Sequence, residues 1–143
     1  MIGYLLDTNV PSELRRLTPD PHVSAFLSAA GRERVHVSVM TLTEICHGIA
    51  RLPQSKQRRE LQEWLDDVLR PWFAERVLPI TELIAERCGT LMGEHQTKGR
   101  KIPLADAMIA ATALEHGLIM VTRNVKHFEG LGLTVMNPWE TTA

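Results

Sequence analysis

Short apolar runs alternate along the chain with longer segments whose apolar residues recur at helical spacing. The runs predict strands at residues 2–6, 35–39, 77–80, 118–121 and 133–136. Strands that alternate with helices typically form βαβ units. We therefore expect a three-layer α/β fold, in which a central, mainly parallel sheet of four to five short strands has helices on both faces. The 143 residues suit one domain, which we place at residues 1–140, followed by a polar tail at 141–143.

The charge balance excludes a protein that attracts nucleic acid over its whole surface. The formal net charge is −1, whereas nucleic-acid-binding domains usually carry a basic footprint, so any such contact must be local. Two basic clusters are candidates: Arg51, Lys56, Arg58 and Arg59, and then Lys98, Arg100 and Lys101. Either cluster alone is better explained as solvated helix ends and turns.

No apolar run approaches the roughly 18 residues that a membrane span needs, and the N-terminus lacks a signal-peptide pattern. We therefore expect a cytoplasmic protein with no membrane partner. Cys46 and Cys88 lie far apart within apolar helical patterns. We interpret them as reduced and structural.

Three carboxylates stand beside apolar segments. Asp7 follows the first strand, Glu44 lies in a helix that we expect to open at Thr41 or Thr43, and Asp106 lies early in the alanine-rich helix after residue 103. Each acid alone could accept the free N–H groups of a helix N-terminus or interact favourably with its dipole. Together they would repel one another, by about 4 kcal/mol for a pair at about 4 Å, unless one carboxyl has a raised pKa or a divalent cation is bound. Carboxylate oxygens suit Mg²⁺ or Mn²⁺, and no zinc-type His/Cys pattern is present.

Polar residues follow the first and fourth strands directly: Thr8 and Asn9 after Asp7, and Thr122, Arg123 and Asn124 after residue 121. Ligands of parallel sheets collect at the carboxyl ends of the strands, so we expect these side chains at one rim. Thr8 and Asn9 are equally suited to helix capping, with Asn9 as the predicted cap. A metal held at such a rim can activate water for attack on a phosphodiester.

Four motifs occur in an order that resembles the PIN-domain ribonucleases: LLDTNV at 5–10, SVMTLTE at 38–44, LADAMIAATA at 104–113, and VTRN at 121–124 with Phe128. The chain looks like a VapC-type toxin near the FitB-like branch, whose chains also end close to an Asn-Pro-Trp such as that at 137–139. The resemblance covers almost the whole chain and identifies the domain at 1–140 as PIN-like.

The resemblance implies a Mg²⁺- or Mn²⁺-dependent endoribonuclease that hydrolyses RNA. Asp7, Glu44 and Asp106 would hold the metal, and Asn124 would be the fourth catalytic position. Many relatives have an acid there, so we expect one tightly held ion. The residues expected to position substrate are Thr8, Asn9, Thr122 and Arg123. The implied partner is a VapB-like antitoxin, in a hetero-oligomer that binds operator DNA mainly through the antitoxin.

Two other functions stay open. A degenerate PIN module would bind a partner without cleaving RNA. An aspartyl-phosphate phosphatase would use Asp7 as nucleophile, but it expects a second acid two residues on, where Asn9 stands. The amphipathic segment 54–73, with Leu61, Leu65 and Trp72, offers apolar surface. We expect it to form a homodimer contact and an antitoxin-binding groove.

Overall fold

A five-stranded sheet forms the centre of the molecule, whose computed structural model describes residues 2–140. Its strands are β1 (Tyr4–Leu6), β2 (Val35–Ser38), β3 (Val77–Leu78), β4 (Ile119–Val121) and β5 (Val135–Met136). They lie in the order β3-β2-β1-β4-β5, and every neighbouring pair is parallel. The predicted parallel sheet is confirmed. The predicted polar tail at 141–143 lies outside the described residues.

Helices connect the strands. They are α1 (Asn9–Leu14), α2 (Pro21–Ala30), α3 (Val39–Ala50), α4 (Lys56–Trp64), α5 (Arg70–Trp72), α6 (Glu82–Gln96) and α7 (Leu104–His116). Short 3-10 turns occupy Arg32–Arg34 and Val125–Phe128, and a π-helical turn at Leu65–Leu69 joins α4 to α5. The predicted helix at 54–73 is therefore interrupted. Pro71 accounts for the break, because it lacks the N–H that an α-helix pairs with the carbonyl of Asp67.

The sheet separates two hydrophobic cores, because successive side chains of a strand point to opposite faces. Leu5 packs in one core with residues of α6 and α7, including Ile84 and Ile109. Its neighbour Leu6 packs in the other core with residues of α1 to α4 and the π turn, including Val10 and Leu65. The three-layer prediction is confirmed.

Two predicted helix starts are wrong. Asn9 is the first residue of α1 rather than its cap, and its amide instead contacts Asp7 and Thr122. Helix α3 begins at Val39, not at Thr41 or Thr43, because the Ser38 hydroxyl already accepts the N–H of Met40 at 3.0 Å. Serine is a favoured N-cap, so strand β2 and helix α3 abut without a loop. This placement puts Glu44 in the second turn of α3.

The prediction for the cysteines is half right. Cys88 is buried, and burial raises the pKa of its thiol. Cys46 is exposed, because the buried stripe of α3 runs through Thr41, Ile45 and Ile49 and leaves position 46 outside it. Both thiols are free. No helix within residues 2–140 is long and apolar enough to cross a membrane.

Candidate active site

The candidate site lies where the strand order reverses. Strand β1 is followed in the chain by β2 on one side, whereas β4 pairs with β1 on the other side. Asp7 continues β1, and its N–H donates to the carbonyl of Val121 at 2.9 Å, at the end of β4. Such a reversal opens a crevice beyond the carboxyl ends of the strands, and the Asp7 carboxylate lies there.

Neutral donors fix the Asp7 carboxylate. Its Oδ1 accepts the N–H of Thr8 at 2.9 Å, and its Oδ2 accepts the hydroxyl of Thr122 at 2.8 Å and the amide of Asn9 at 3.4 Å. Asp7 is only 7% exposed. Among the residues described, no cation lies within ion-pair distance of this carboxylate. Hydrogen bonds therefore fix its orientation, but no positive side chain neutralises its charge.

Thr8 links the second acid to the first. Its hydroxyl donates to Glu44 Oε1 at 2.6 Å, while its N–H holds Asp7. The Thr41 hydroxyl lies 3.3 Å from the same Thr8 oxygen. Helix α3 therefore presents Glu44 toward the end of β1, and one threonine orients both carboxylates.

Asp106 lies in the first turn of α7, with a side chain 19% exposed. Its pKa is raised, first by burial, then by the charge of Asp7 and to a smaller extent by that of Glu44. His127 opposes the shift: its Nδ1 lies 3.5 Å from Asp106 Oδ2. The three acids predicted from the sequence thus share one electrostatic environment.

The donor set suits a hard divalent cation, since it combines three carboxylates with hydroxyl and amide oxygens. In the conformation described for residues 2–140, however, no three His, Cys, Asp or Glu side chains lie close enough together to hold an ion. Burial is the main cause of the raised pKa of Asp106, and repulsion from Asp7 and Glu44 adds to it.

The side chain of Asn124 is exposed and lines a shallow cavity next to the acids. The main-chain N–H of Asn124 donates to the Thr122 hydroxyl at 3.0 Å. Within the described chain, no hydrogen bond joins its side chain to a carboxylate. Arg123 is also exposed, and its guanidinium lies over the Trp139 ring, with 5.2 Å between Cζ and the ring centroid.

Sequence reasoning missed His127. The residue belongs to the 3-10 turn Val125–Phe128, where no periodic pattern identifies it. The sequence signal that could have located it is its neighbour Phe128. Phe128 is fully buried and so anchors the turn beside the site. Arg100 holds the same turn, since its guanidinium donates to the carbonyls of Lys126, His127 and Glu129.

Three residues of the basic clusters have partners within the fold. Arg58 donates to the carbonyl of Leu52 at 3.0 Å, and Lys56 pairs with Glu60 at 3.8 Å. Arg100 is committed to main-chain carbonyls, as described above. The reading of these clusters as helix ends and turns therefore accounts for these three residues.

Two cavities border α4, one between α1, α3 and α4 and the other between α1, the π turn and α5. One runs from Thr8 and Glu44 to Leu61 and Trp64. The other is apolar and is lined by Pro11, Leu14, Trp64, Val68, Leu69, Trp72 and Phe73. Trp64 borders both cavities, so together they extend from Glu44 across the segment 54–73.

Residues 4–130 match the PIN domain family. The chain is 40% identical over 136 residues to the VapC ribonuclease Y4jK of Sinorhizobium fredii, an alignment that covers 95% of this chain and 97% of that one. It is 38% identical over 135 residues to the toxin FitB of Neisseria gonorrhoeae, covering 94% and 97%. The structure of FitAB bound to a DNA fragment superposes with a TM-score of 0.88 at 36% identity, covering 100% and 99%. The chain therefore belongs to the PIN-domain family, in the group that contains the VapC ribonucleases and FitB.

Proposed function

We propose that this protein is a metal-dependent endoribonuclease that acts as the toxin of a toxin–antitoxin pair. The observation that carries the proposal is that Asp7, Glu44 and Asp106 all face the sheet reversal: burial raises the pKa of Asp106, and the charges of Asp7 and then Glu44 raise it further. Perturbed titratable groups in a cleft are typical of functional sites. The ribonuclease name of a relative that matches nearly the whole chain supports the same activity.

Asp7, Glu44 and Asp106 would hold a Mg²⁺ or Mn²⁺ ion. When bound, such an ion supplies an activated water and offsets the charge that develops on the phosphate. The other residues act on the acids: the Thr122 hydroxyl orients Asp7, and the Thr8 hydroxyl orients Glu44. Buried hydrogen bonds of this kind fix carboxylate positions before a ligand arrives.

Asn124 brings no charge to this site. The charge of three carboxylates is better matched by one divalent ion than by two divalent ions. One tightly bound metal is therefore proposed, and a second ion would enter only with RNA phosphates. The exposed Asn124 amide can then orient water or substrate at the rim.

The proposed regulatory partner is a small antitoxin, by analogy with the FitB relative, whose FitAB complex binds DNA. The cavities along α4 support this role, because one reaches Thr8 and Glu44 while the other exposes apolar side chains such as Val68. An apolar segment that binds there would also block the acids. The same surface is the proposed homodimer contact, which sedimentation of the isolated chain would test.

Cleavage of a mixed structured RNA tests the nuclease. The wild-type chain is expected to cut with Mg²⁺ or Mn²⁺ and not with EDTA. Asp7→Asn is expected to reduce cutting by more than about 100-fold, since even outer-shell partners of a metal typically contribute 10- to 100-fold. Asp67→Asn makes the same chemical change on an exposed residue of the π turn and serves as the matched control. Equal cleavage by the wild type and Asp7→Asn would refute the site assignment.

A partner-binding module without nuclease activity is the second candidate, and the neutral Asn124 favours it. It predicts normal binding of the partner but no metal-dependent cleavage of any RNA. The phosphatase alternative is less suited to the site, because the Asn9 amide contacts the Asp7 oxygen at 3.4 Å where a second acid would be expected.

A further inference from the structure

A polar cavity of about 340 Å³ lies beside the acids, at the carboxyl ends of β4 and β5. Its lining includes Arg123, Asn124, Lys126, His127, Asn137 and Glu140. Its volume falls at the lower end of the range for pockets that bind small ligands.

The cavity adjoins the candidate active site. His127 lines it and also lies 3.5 Å from Asp106 Oδ2. Asn124 lines it and donates its N–H to Thr122, which in turn donates to Asp7. A ligand that spans the two would touch the acids at one end and this cavity at the other.

The cavity is basic although the chain has a net charge of −1. Arg123 and Lys126 are exposed, and within residues 2–140 neither forms an ion pair with a carboxylate. Glu140 lines the same cavity but does not pair with either. Two cations therefore face solvent next to three acids, which is the arrangement needed to attract a polyanion toward an acidic site.

The Asn-Pro-Trp motif holds one of these cations in place. Asn137 Oδ1 accepts the N–H of Trp139 at 2.9 Å, which fixes the turn after β5. The Trp139 ring then supports the Arg123 guanidinium at 5.2 Å. Stacking uses the face of the guanidinium and leaves its N–H edge free for the oxygens of a phosphate.

We propose that this cavity is a phosphate subsite for RNA, which binds the nucleotide next to the scissile bond through Arg123 and Lys126, with Trp139 as a positioning residue for Arg123. This inference rests on the proposed ribonuclease function. RNA fits better than an acidic peptide because its phosphates repeat along the strand, so a phosphate at the acids brings another to the cations. The cations also offset the repulsion between RNA and the three carboxylates.

The test measures binding of a fluorescein-labelled single-stranded oligouridylate by anisotropy, in EDTA, over a range of salt concentrations. For single strands, each phosphate contact contributes about 0.7 to the slope of log K against log salt. The double variant Arg123→Gln/Lys126→Gln is expected to flatten this slope by about 1.4. Arg51→Gln/Arg59→Gln removes the same charge from exposed residues of the first basic cluster and is expected to keep the wild-type slope.

A second pair of variants tests the positioning role. Trp139→Ala keeps both cations but removes the support under Arg123, so it is expected to raise the KM for RNA with little change in kcat. Trp139→Phe keeps an aromatic face and is expected to restore the wild-type KM. Thermal melts of both variants separate this effect from unfolding, because Trp139 also packs against the core around Leu6.

An unchanged slope in the Arg123/Lys126 variant would overturn the proposal, and so would a flattened slope in the Arg51/Arg59 control alone. Wild-type RNA binding by the Arg123/Lys126 variant with loss of binding to a polyglutamate peptide would assign the cavity to a peptide and also overturn it. Binding with the expected change of slope but no metal-dependent cleavage would support the subsite and refute the proposed nuclease. Cleavage with unchanged slopes would refute the subsite alone.

Discussion

Thr122→Val isolates the hydrogen bonds that hold the candidate site together. Thr122 is fully buried at the end of β4. Its hydroxyl donates to Asp7 Oδ2 at 2.8 Å and accepts the N–H of Asn124 at 3.0 Å. Valine has nearly the same shape, so the change removes these bonds without leaving a cavity.

The expected loss of stability is large because the Thr122 hydroxyl donates to a charged acceptor, the Asp7 carboxylate. A hydrogen bond to a charged group contributes about 1.5–3 kcal/mol, and Asp7 is too buried to replace it fully with water. The N–H of the exposed Asn124 can bind water instead and adds little. We expect the free energy of unfolding to fall by about 1.5–3 kcal/mol. For a chain of this length that corresponds to a drop in Tm of roughly 5–10 °C.

Urea unfolding followed by circular dichroism at pH 7, without divalent metal, measures this loss. Thr122→Ser keeps the hydroxyl and serves as the matched control, with a smaller loss from the missing methyl group. RNA cleavage by Thr122→Val is expected to fall by about 10- to 100-fold, as for other outer-shell partners of a metal. A free energy of unfolding within about 0.5 kcal/mol of wild type, the range of ordinary surface substitutions, would refute the reasoning.

Two further predictions concern the neighbouring residues. In metal-free buffer Asp106→Asn should become progressively more stable than wild type as pH rises above 3.8, the ordinary pKa of the group. The reason is that the Asp106 carboxyl holds its proton more tightly in the folded chain than in the unfolded chain, so its deprotonation destabilises the wild-type fold as pH rises through the raised folded pKa. Asparagine does not titrate and loses nothing. A stability difference that does not change with pH would contradict this. Arg100→Gln should weaken the turn that carries His127 and so lower RNA cleavage, with partial recovery in Arg100→Lys, because a lysine reaches fewer carbonyls. Limited proteolysis at residues 124–129 measures the weakening, and an unchanged digestion rate would argue against it.

The sequence identified the acids because each conflicts with its surroundings. An acid in an alanine-rich helix, as at Asp106, or directly after an apolar strand, as at Asp7, is a local anomaly that needs no knowledge of the fold. His127 causes no such conflict, since an exposed histidine in a turn is ordinary. Its importance comes only from its 3.5 Å approach to Asp106.

Errors occurred where a shift of a few residues changes which way a side chain faces. Asn9 was expected to cap α1 and instead belongs to the helix, which turns its amide toward Asp7. Cys46 was expected to be a structural residue in the apolar pattern of its helix, but it is exposed, one position away from the buried Ile45. Each helical residue turns the side-chain direction by about 100°, so periodicity finds a helix more readily than the face of each residue in it.

The residues alone are enough to predict the alternation of strands and helices, the parallel sheet that follows from it, and the strands that end in polar residues. The position of β4 beside β1 is seen only in the folded chain, and this pairing brings Thr122 to Asp7 across 115 positions of the chain. The physical reason is that strand order depends on how helices on both faces bury their apolar sides together, a property of the whole chain that no local pattern records. The basic cavity beside the acids has the same origin, because Arg123 and Trp139 meet only after β5 pairs with β4.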